Sequence, residues 1–256
     1  MGAGNMGGAI AHGLAKGTMI PAKDITVADP DRDKLDRIKA ANPQIRTVTD
    51  NQEAVTGADL ILIAVKPWLV KEVVTALNIN LKKQIIISVA AGIPFSEYTA
   101  WLGASAVLFR LAPNTAISQL ESMTLIASHN ATKEQEKLMV SLFDEMGLAM
   151  LVPEKQIPAT TALASCGIAY ALKYIQAGMQ AGIEMGIYPK DAMKMVAQSV
   201  KGAAALILNN DTHPSMEIDK ITTPGGITIK GVNELDHAGF TSAIIRAMKV
   251  SNKTDG

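Results

Sequence analysis

A chain of 256 residues with 24 basic and 24 acidic side chains has no net charge, which leaves no electrostatic footprint for nucleic acid or an anionic membrane. One cysteine excludes an intramolecular disulfide framework and fits a reducing cytoplasm. The length suffices for one large or two modest domains. The most apolar long stretch, Ile168 to Ile187, contains Lys173 and Glu184, which argues against a membrane span. The N-terminus reads as a glycine loop rather than a signal peptide.

That loop is Met1-Gly2-Ala3-Gly4-Asn5-Met6-Gly7-Gly8. Gly2, Gly4 and Gly7 stand at the spacing of a dinucleotide-binding turn. The first permits a tight bend, the second lets backbone approach a pyrophosphate, and the third lets a helix pack on the sheet. Ile10, Ala11, Leu14 and Ala15 recur at helical spacing, so the loop, with Asn5 and Met6 inside it, opens a helix whose N-terminus faces the phosphates. Alone, such a run is equally an ordinary turn. It should follow a buried central strand, yet only Met1 precedes it. Losing several buried Val or Ile side chains, each worth roughly 1.5–3 kcal/mol, would remove much of a domain's stability. The expectation is a displaced start with a short apolar segment upstream.

Asp24 to Asp29 reads as a strand, with Ile25, Val27 and Ala28 apolar. Asp29 ends it at the distance from the loop where a carboxylate receives adenosine ribose hydroxyls and repels a 2′-phosphate. The alternative is a cap on the helix after the Asp-Pro turn, and Arg32 nearby could hold a phosphate instead. A helix over 31–41, a strand over 45–48 and a helix over 51–56 follow. Ala58–Val65 and Gln84–Ala90 are continuous apolar runs, as strands buried on both faces are; Ala106–Phe109 is a shorter one. Ligands in such sheets bind beyond the carboxyl ends of the strands, so the three tails should converge on cofactor and substrate. The tails carry Ala64, Val65, Lys66 and Pro67; Ala91; and Arg110 to Asn114. Lys66 reads equally as a solvated lysine and Asn114 as a turn residue. Strands over 123–128 and 149–152, flanking a helix over 133–145, complete an α/β, Rossmann-like doubly wound dinucleotide-binding domain over 1–152.

From Pro158 the strand signals stop, and an all-α domain is expected over 153–256. Long helices over 160–187 and 190–209 are separated by Gly186-Ile187-Tyr188-Pro189. A short helix opens at His213-Pro214, and others cover 230–238 and 241–250. The first long helix is apolar around much of its circumference (Ala169, Leu172, Ile175, Met179, Ile183), which in a small domain points to a core shared between subunits. Between the short helices lies Thr222–Thr228. Its glycines expose backbone N–H groups and its threonines add hydroxyls, a set that can cradle a carboxylate and hydrogen-bond a neighbouring nitrogen. An ordinary helix connection is the alternative. Cys166 reads as a packing residue. The four histidines lack partners at metal spacing, so neither a metal site nor a catalytic triad is expected.

Several segments occur together in order: Gly2–Gly8 with Ala9-Ile10, Ala64-Val65-Lys66-Pro67, Ser88-Val89-Ala90-Ala91-Gly92 and Arg110-x-x-Pro113-Asn114-Thr115. Thr161-Ala162-Leu163 through Ala169-Tyr170 and Thr223-Pro224-Gly225-Gly226-x-Thr228 follow. By these the chain resembles the pyrroline-5-carboxylate reductases over essentially its whole length. The resemblance implies reduction of Δ1-pyrroline-5-carboxylate to L-proline, the last step of proline biosynthesis, with NADPH or NADH as donor. It implies that Thr228 hydrogen-bonds the ring nitrogen and that the backbone of Thr223, Gly225, Gly226 and Ile227 holds the substrate carboxylate. Asn114 and Lys66-Pro67 would line the nicotinamide side. An intertwined homodimer is also implied, built into a ring of dimers in some members.

One segment departs from that family. Where its members usually have Ser-Gly-Ser-Gly-Pro before Ala-Tyr, this chain has Ala164-Ser165-Cys166-Gly167-Ile168. The stretch is expected to form part of the substrate wall at or near the subunit interface, with Cys166 in place of a serine. Two rival readings stand beside the reductase. A β-hydroxyacid dehydrogenase would carry a lysine with an asparagine one helical turn later, but Lys173 is followed there by Ala177. A degenerate, non-enzymatic nucleotide-binding module would explain the altered 164–168 segment but has no need of the Thr223–Thr228 loop.

Overall fold

The structure is a computed structural model that describes residues 1–252. The chain divides into two compact units, Met1–Ser165 and Cys166 onward. The last four residues of the expected 153–256 span lie outside the described residues.

The first unit alternates helices and strands: α1 (Asn5–Lys16), β1 (Thr26–Ala28), α2 (Arg32–Ala41), β2 (Arg46–Val48), α3 (Asn51–Val55), β3 (Leu60–Ile63) and α4 (Pro67–Thr75). Then come β4 (Ile85–Ser88), α5 (Phe95–Leu102), β5 (Leu108–Ala112), β6 (Ser122–His129), α6 (Lys133–Asp144), β7 (Gly147–Leu151) and α7 (Ile157–Ala164). This is the expected α/β class. Strands β3, β4 and β5 are parallel neighbours in the order of the chain, with Ile61 opposite Ile86 and Ile87 opposite Phe109. Their alternate side chains feed two cores. One, with Val70 and Val74 of α4, Tyr98 of α5 and Ile157 of α7, takes Ile63, Ile86 and Leu108. The other, with Ile10 of α1 and Met139 and Phe143 of α6, takes Ile87 and Phe109. Burial on both faces explains why these strands read as unbroken apolar runs.

Two features depart from a simple doubly wound sheet. Strand β6 runs antiparallel to β5, pairing Leu108 with His129 and Ala112 with Leu125, while β7 is parallel to β6. The link from β5 to β6 holds only a 3₁₀ turn (Thr115–Gln119) and is too short for the crossover that a parallel pair needs. Second, β1 and β2 form their own parallel pair, separate from the five-stranded sheet β3–β7. Met1 and Gly2 tie the two together. The Met1 amino group donates to Leu62 O at 2.7 Å, the Ala64 N–H to Met1 O at 2.9 Å, and the Gly2 N–H to Ala28 O at 2.8 Å.

The second unit is all-α: α8 (Gly167–Glu184), α9 (Pro189–Asn210), α10 (Pro214–Ile221), α11 (Ile227–His237) and α12 (Phe240–Ser251). Helices α8 and α9 pack through glycines. A Cβ added at Gly182 would lie 2.8 Å from Ala192 Cβ, and one at Gly178 would lie 2.9 Å from a Val196 methyl. The single helix expected over 160–187 is interrupted, with α7 ending at Ala164 and α8 beginning at Gly167. Ser165 and Cys166 keep helical dihedrals, but the Ala164 carbonyl accepts from Asn114 Nδ2 at 3.2 Å, outside the helical ladder. Among the described residues no helix is long and apolar enough to cross a membrane.

Candidate functional site

In the first unit the glycine loop is shaped by contact and by open space. Gly2 has φ +88°, and a Cβ there would sit 2.6 Å from Ala64 O. A Cβ at Gly7 would sit 1.9 Å from Gly2 O and 3.0 Å from Ala64 Cβ. Both positions therefore close the loop onto the end of β3. Gly4 is different, because a Cβ added there meets nothing within 4 Å. It is also the extended N-cap of α1, with no side chain capping the helix. Free N–H groups at a helix start beside open space are what a pyrophosphate needs, so the loop fits a dinucleotide. Asn5 is exposed and Met6 half-buried on the first turn of α1.

Asp29 follows β1 and is buried. Its Oδ2 accepts the Ala3 N–H at 2.8 Å; its Oδ1 accepts the Asp31 N–H at 2.9 Å and lies 3.4 Å from Lys34 Nζ. The cap of α2 is Asp31, which accepts the Asp33 N–H at 3.1 Å. Asp29 thus does not cap that helix; it binds the glycine loop to the turn after β1. Lys34 bridges the two carboxylates. Its hydrogen bond to Asp31 raises its basicity and holds the Asp31 carboxyl below the usual range. The Met1 ammonium is lowered to about 6 by loss of hydration, against the pull of Asp29.

Because β3, β4 and β5 are parallel, their tails share the carboxyl edge of the sheet. Ala64 and Val65 are half-buried; Lys66 is exposed and N-caps α4, whose first residue is Pro67. Proline at that position was a legible start signal for α4. Ala91 is exposed. Asn114 is buried, with Oδ1 accepting the Ala116 N–H at 3.0 Å and Nδ2 donating to Ala164 O. Its own N–H donates to Ser122 Oγ at 3.2 Å, which in turn lies 3.0 Å from Thr124 Oγ1. Ser122 and Thr124 carried no motif that would have singled them out.

In the second unit Thr223-Pro224-Gly225-Gly226 forms a turn closed by the Gly226 N–H on Thr223 O at 2.9 Å. Pro224 second and Gly225 third with φ +69° is the pattern of a type II turn. A Cβ at Gly226 would lie 2.7 Å from Thr223 Oγ1. Gly226 is the N-cap of α11, again with no side-chain cap, so the first N–H groups of that helix, those of Ile227 and Thr228 among them, are left for an anion. Ile227 and Thr228 are exposed. Cys166, half-buried, is the N-cap of α8. Among the described residues no three His, Cys, Asp or Glu side chains gather as metal ligands.

Comparison with known proteins agrees with this geometry. A family model described as pyrroline-5-carboxylate reductase dimerisation matches residues 154–255, and one described as NADP oxidoreductase, coenzyme F420-dependent, matches residues 1–92. Pyrroline-5-carboxylate reductase 1 of Dictyostelium discoideum is 33% identical over 98% of this chain, which spans 48% of that relative's length. Pyrroline-5-carboxylate reductase 2 of the same organism is 34% identical over 98% of this chain and 89% of its own length. The crystal structure of Plasmodium falciparum pyrroline carboxylate reductase, solved with NADP bound, superposes with a TM-score of 0.87 at 25% identity, covering 98% of this chain and 94% of that one. The chain belongs to the pyrroline-5-carboxylate reductase family.

Proposed function

We propose that this chain reduces Δ1-pyrroline-5-carboxylate to L-proline with NADPH or NADH. The observation that carries the reading is the Thr223–Thr228 turn, which presents an uncapped helix N-terminus with a threonine hydroxyl at its second helical position. A substrate bearing a carboxylate beside a ring nitrogen matches that pair of groups. When bound, the reduced nicotinamide supplies hydride to the imine carbon. The chain's own work is to bind and orient. The N–H groups at the start of α1 hold the pyrophosphate, and Ala64 to Pro67, Ala91 and Asn114 line the dinucleotide. The backbone of Thr223, Gly225, Gly226 and Ile227 holds the carboxylate, Thr228 hydrogen-bonds the ring nitrogen, and Cys166 belongs to the substrate wall. The Asp29 carboxylate favours ribose hydroxyls over a 2′-phosphate, which makes NADH the better donor. A cytoplasmic homodimer, extended to a ring of dimers in some family members, is the assembly this reading implies.

The test is oxidation of NADH and of NADPH, followed by absorbance, with pyrroline-5-carboxylate as acceptor. The wild-type chain should turn over, faster with NADH, and Thr228→Ala should lose about 10²-fold in kcat/KM at unchanged fold. Folded protein that binds dinucleotide but does not turn over would instead favour the non-enzymatic module.

A further inference from the structure

We propose that the Ser165 hydroxyl is a positioning element, fastening the end of α7 to the tail of β5 for the reduction described above. Two consecutive residues of that tail meet two consecutive residues at the end of α7. Ser165 Oγ donates to Pro113 O at 3.1 Å, and Asn114 Nδ2 donates to Ala164 O at 3.2 Å. The tail side of this clasp is anchored in turn. Asn114 is 5% exposed, and it leans on Ser122 and Thr124, which are 2% and 0% exposed. A buried polar network with every member satisfied has one arrangement, not several.

The 164–168 segment departs from the Ser-Gly-Ser-Gly-Pro that the family resemblance leads one to expect here. Ala164 lacks a hydroxyl, and Ile168 lacks the fixed φ of proline. Ser165 replaces a glycine, which has no side chain to donate, and the hydroxyl it adds makes the hydrogen bond to Pro113 O. The fastening matters because the tail lies at the carboxyl edge of the sheet, where ligands bind, and reacting atoms held off by about 1 Å cost on the order of 10²-fold in rate.

The inference rests on the reductase reading, but Cys166, as the sole cysteine, gives a readout that does not. The rate at which a small aromatic disulfide reagent modifies Cys166 reports how firmly the neighbouring end of α7 is held. In Ser165→Ala, and in Ser165→Gly, that rate should rise severalfold, and kcat should fall about tenfold with nucleotide KM within twofold. Ser165→Thr keeps the hydroxyl and should restore both values. Circular dichroism confirms that each variant is folded. An unchanged thiol rate in Ser165→Ala, or a Ser165→Thr variant that behaves like Ser165→Ala, would overturn the proposal. If the wild-type chain shows no reductase turnover, the function fails while the thiol rates still decide the clasp.

Discussion

The two units differ most in what they bury. In the sheet unit Tyr98, Phe109, Phe143, Ile63 and Ile126 are all but sealed from solvent. From Cys166 onward, among the described residues, the buried residues of the helices are only Gly182 and Ala192. Leu172, Met185, Tyr188, Leu208 and Val250 are meanwhile 58–80% exposed. A sheet with helices on both faces closes its own core. Five helices with apolar residues on several sides cannot, and so much open apolar surface marks an association site. The dimerisation model that matches residues 154–255 covers that unit together with α7 of the first. The helical unit is thus an oligomerisation element whose core is completed by association, while the sheet unit is complete within one chain.

That contrast can be broken most forcefully with a charge on the helical surface. Leu172→Glu should convert the oligomer to monomer in light scattering and lower the melting temperature by more than about 10 °C, because the carboxylate would be buried without a partner. Phe143→Ala, in the sheet unit, should cost about 3–5 kcal/mol yet leave the mass unchanged. An unchanged mass in Leu172→Glu would show that this face is not covered. A finer comparison lies within the sheet unit, between two glycines of one loop. Gly7→Ala must displace Gly2 O and should abolish dinucleotide binding together with much of the stability. Gly4→Ala has room in the free protein and should melt like wild type, while titration calorimetry shows dinucleotide affinity weakened about tenfold or more. The smallest effect is expected at the rim. Glu145 accepts from the Thr18 N–H at 2.6 Å, the Thr18 hydroxyl at 2.5 Å and the Met19 N–H at 3.3 Å, and these bonds hold its carboxyl below the usual range. A depressed carboxylate stabilises above its ordinary titration range and loses that contribution as pH falls through it. Glu145→Gln should therefore lower the melting temperature by only about 1–2 °C at neutral pH and flatten its acid limb.

Most of the fold was legible because its signals are local. The apolar runs that became β3 and β4 and the glycines of Gly2–Gly7 each announce a structure within a few residues. What stayed hidden depends on distant partners. The antiparallel turn of β6 follows from a short link rather than from any strand residue. The break between α7 and α8 occurs in Ala164-Ser165-Cys166, which is compatible with helix throughout, and Asn114, fifty residues earlier, takes one of its carbonyls. Asp29 was read as either a ribose ligand or a cap. Its bond to the Ala3 N–H could not be inferred from spacing, since both alternatives leave the carboxylate oxygens facing outward.

That bond also makes coenzyme choice hard to re-engineer. In dinucleotide-binding folds an acidic residue at this place receives the ribose hydroxyl, and a nearby arginine can accommodate a 2′-phosphate instead. Here the same carboxylate braces the glycine loop proposed above to hold the pyrophosphate. Removing it to welcome a 2′-phosphate would also slacken the grip on every dinucleotide. With Asp29 selecting the donor as proposed, preference and affinity would be coupled in this chain, and a donor switch would need a second change that gives the Ala3 amide a new acceptor.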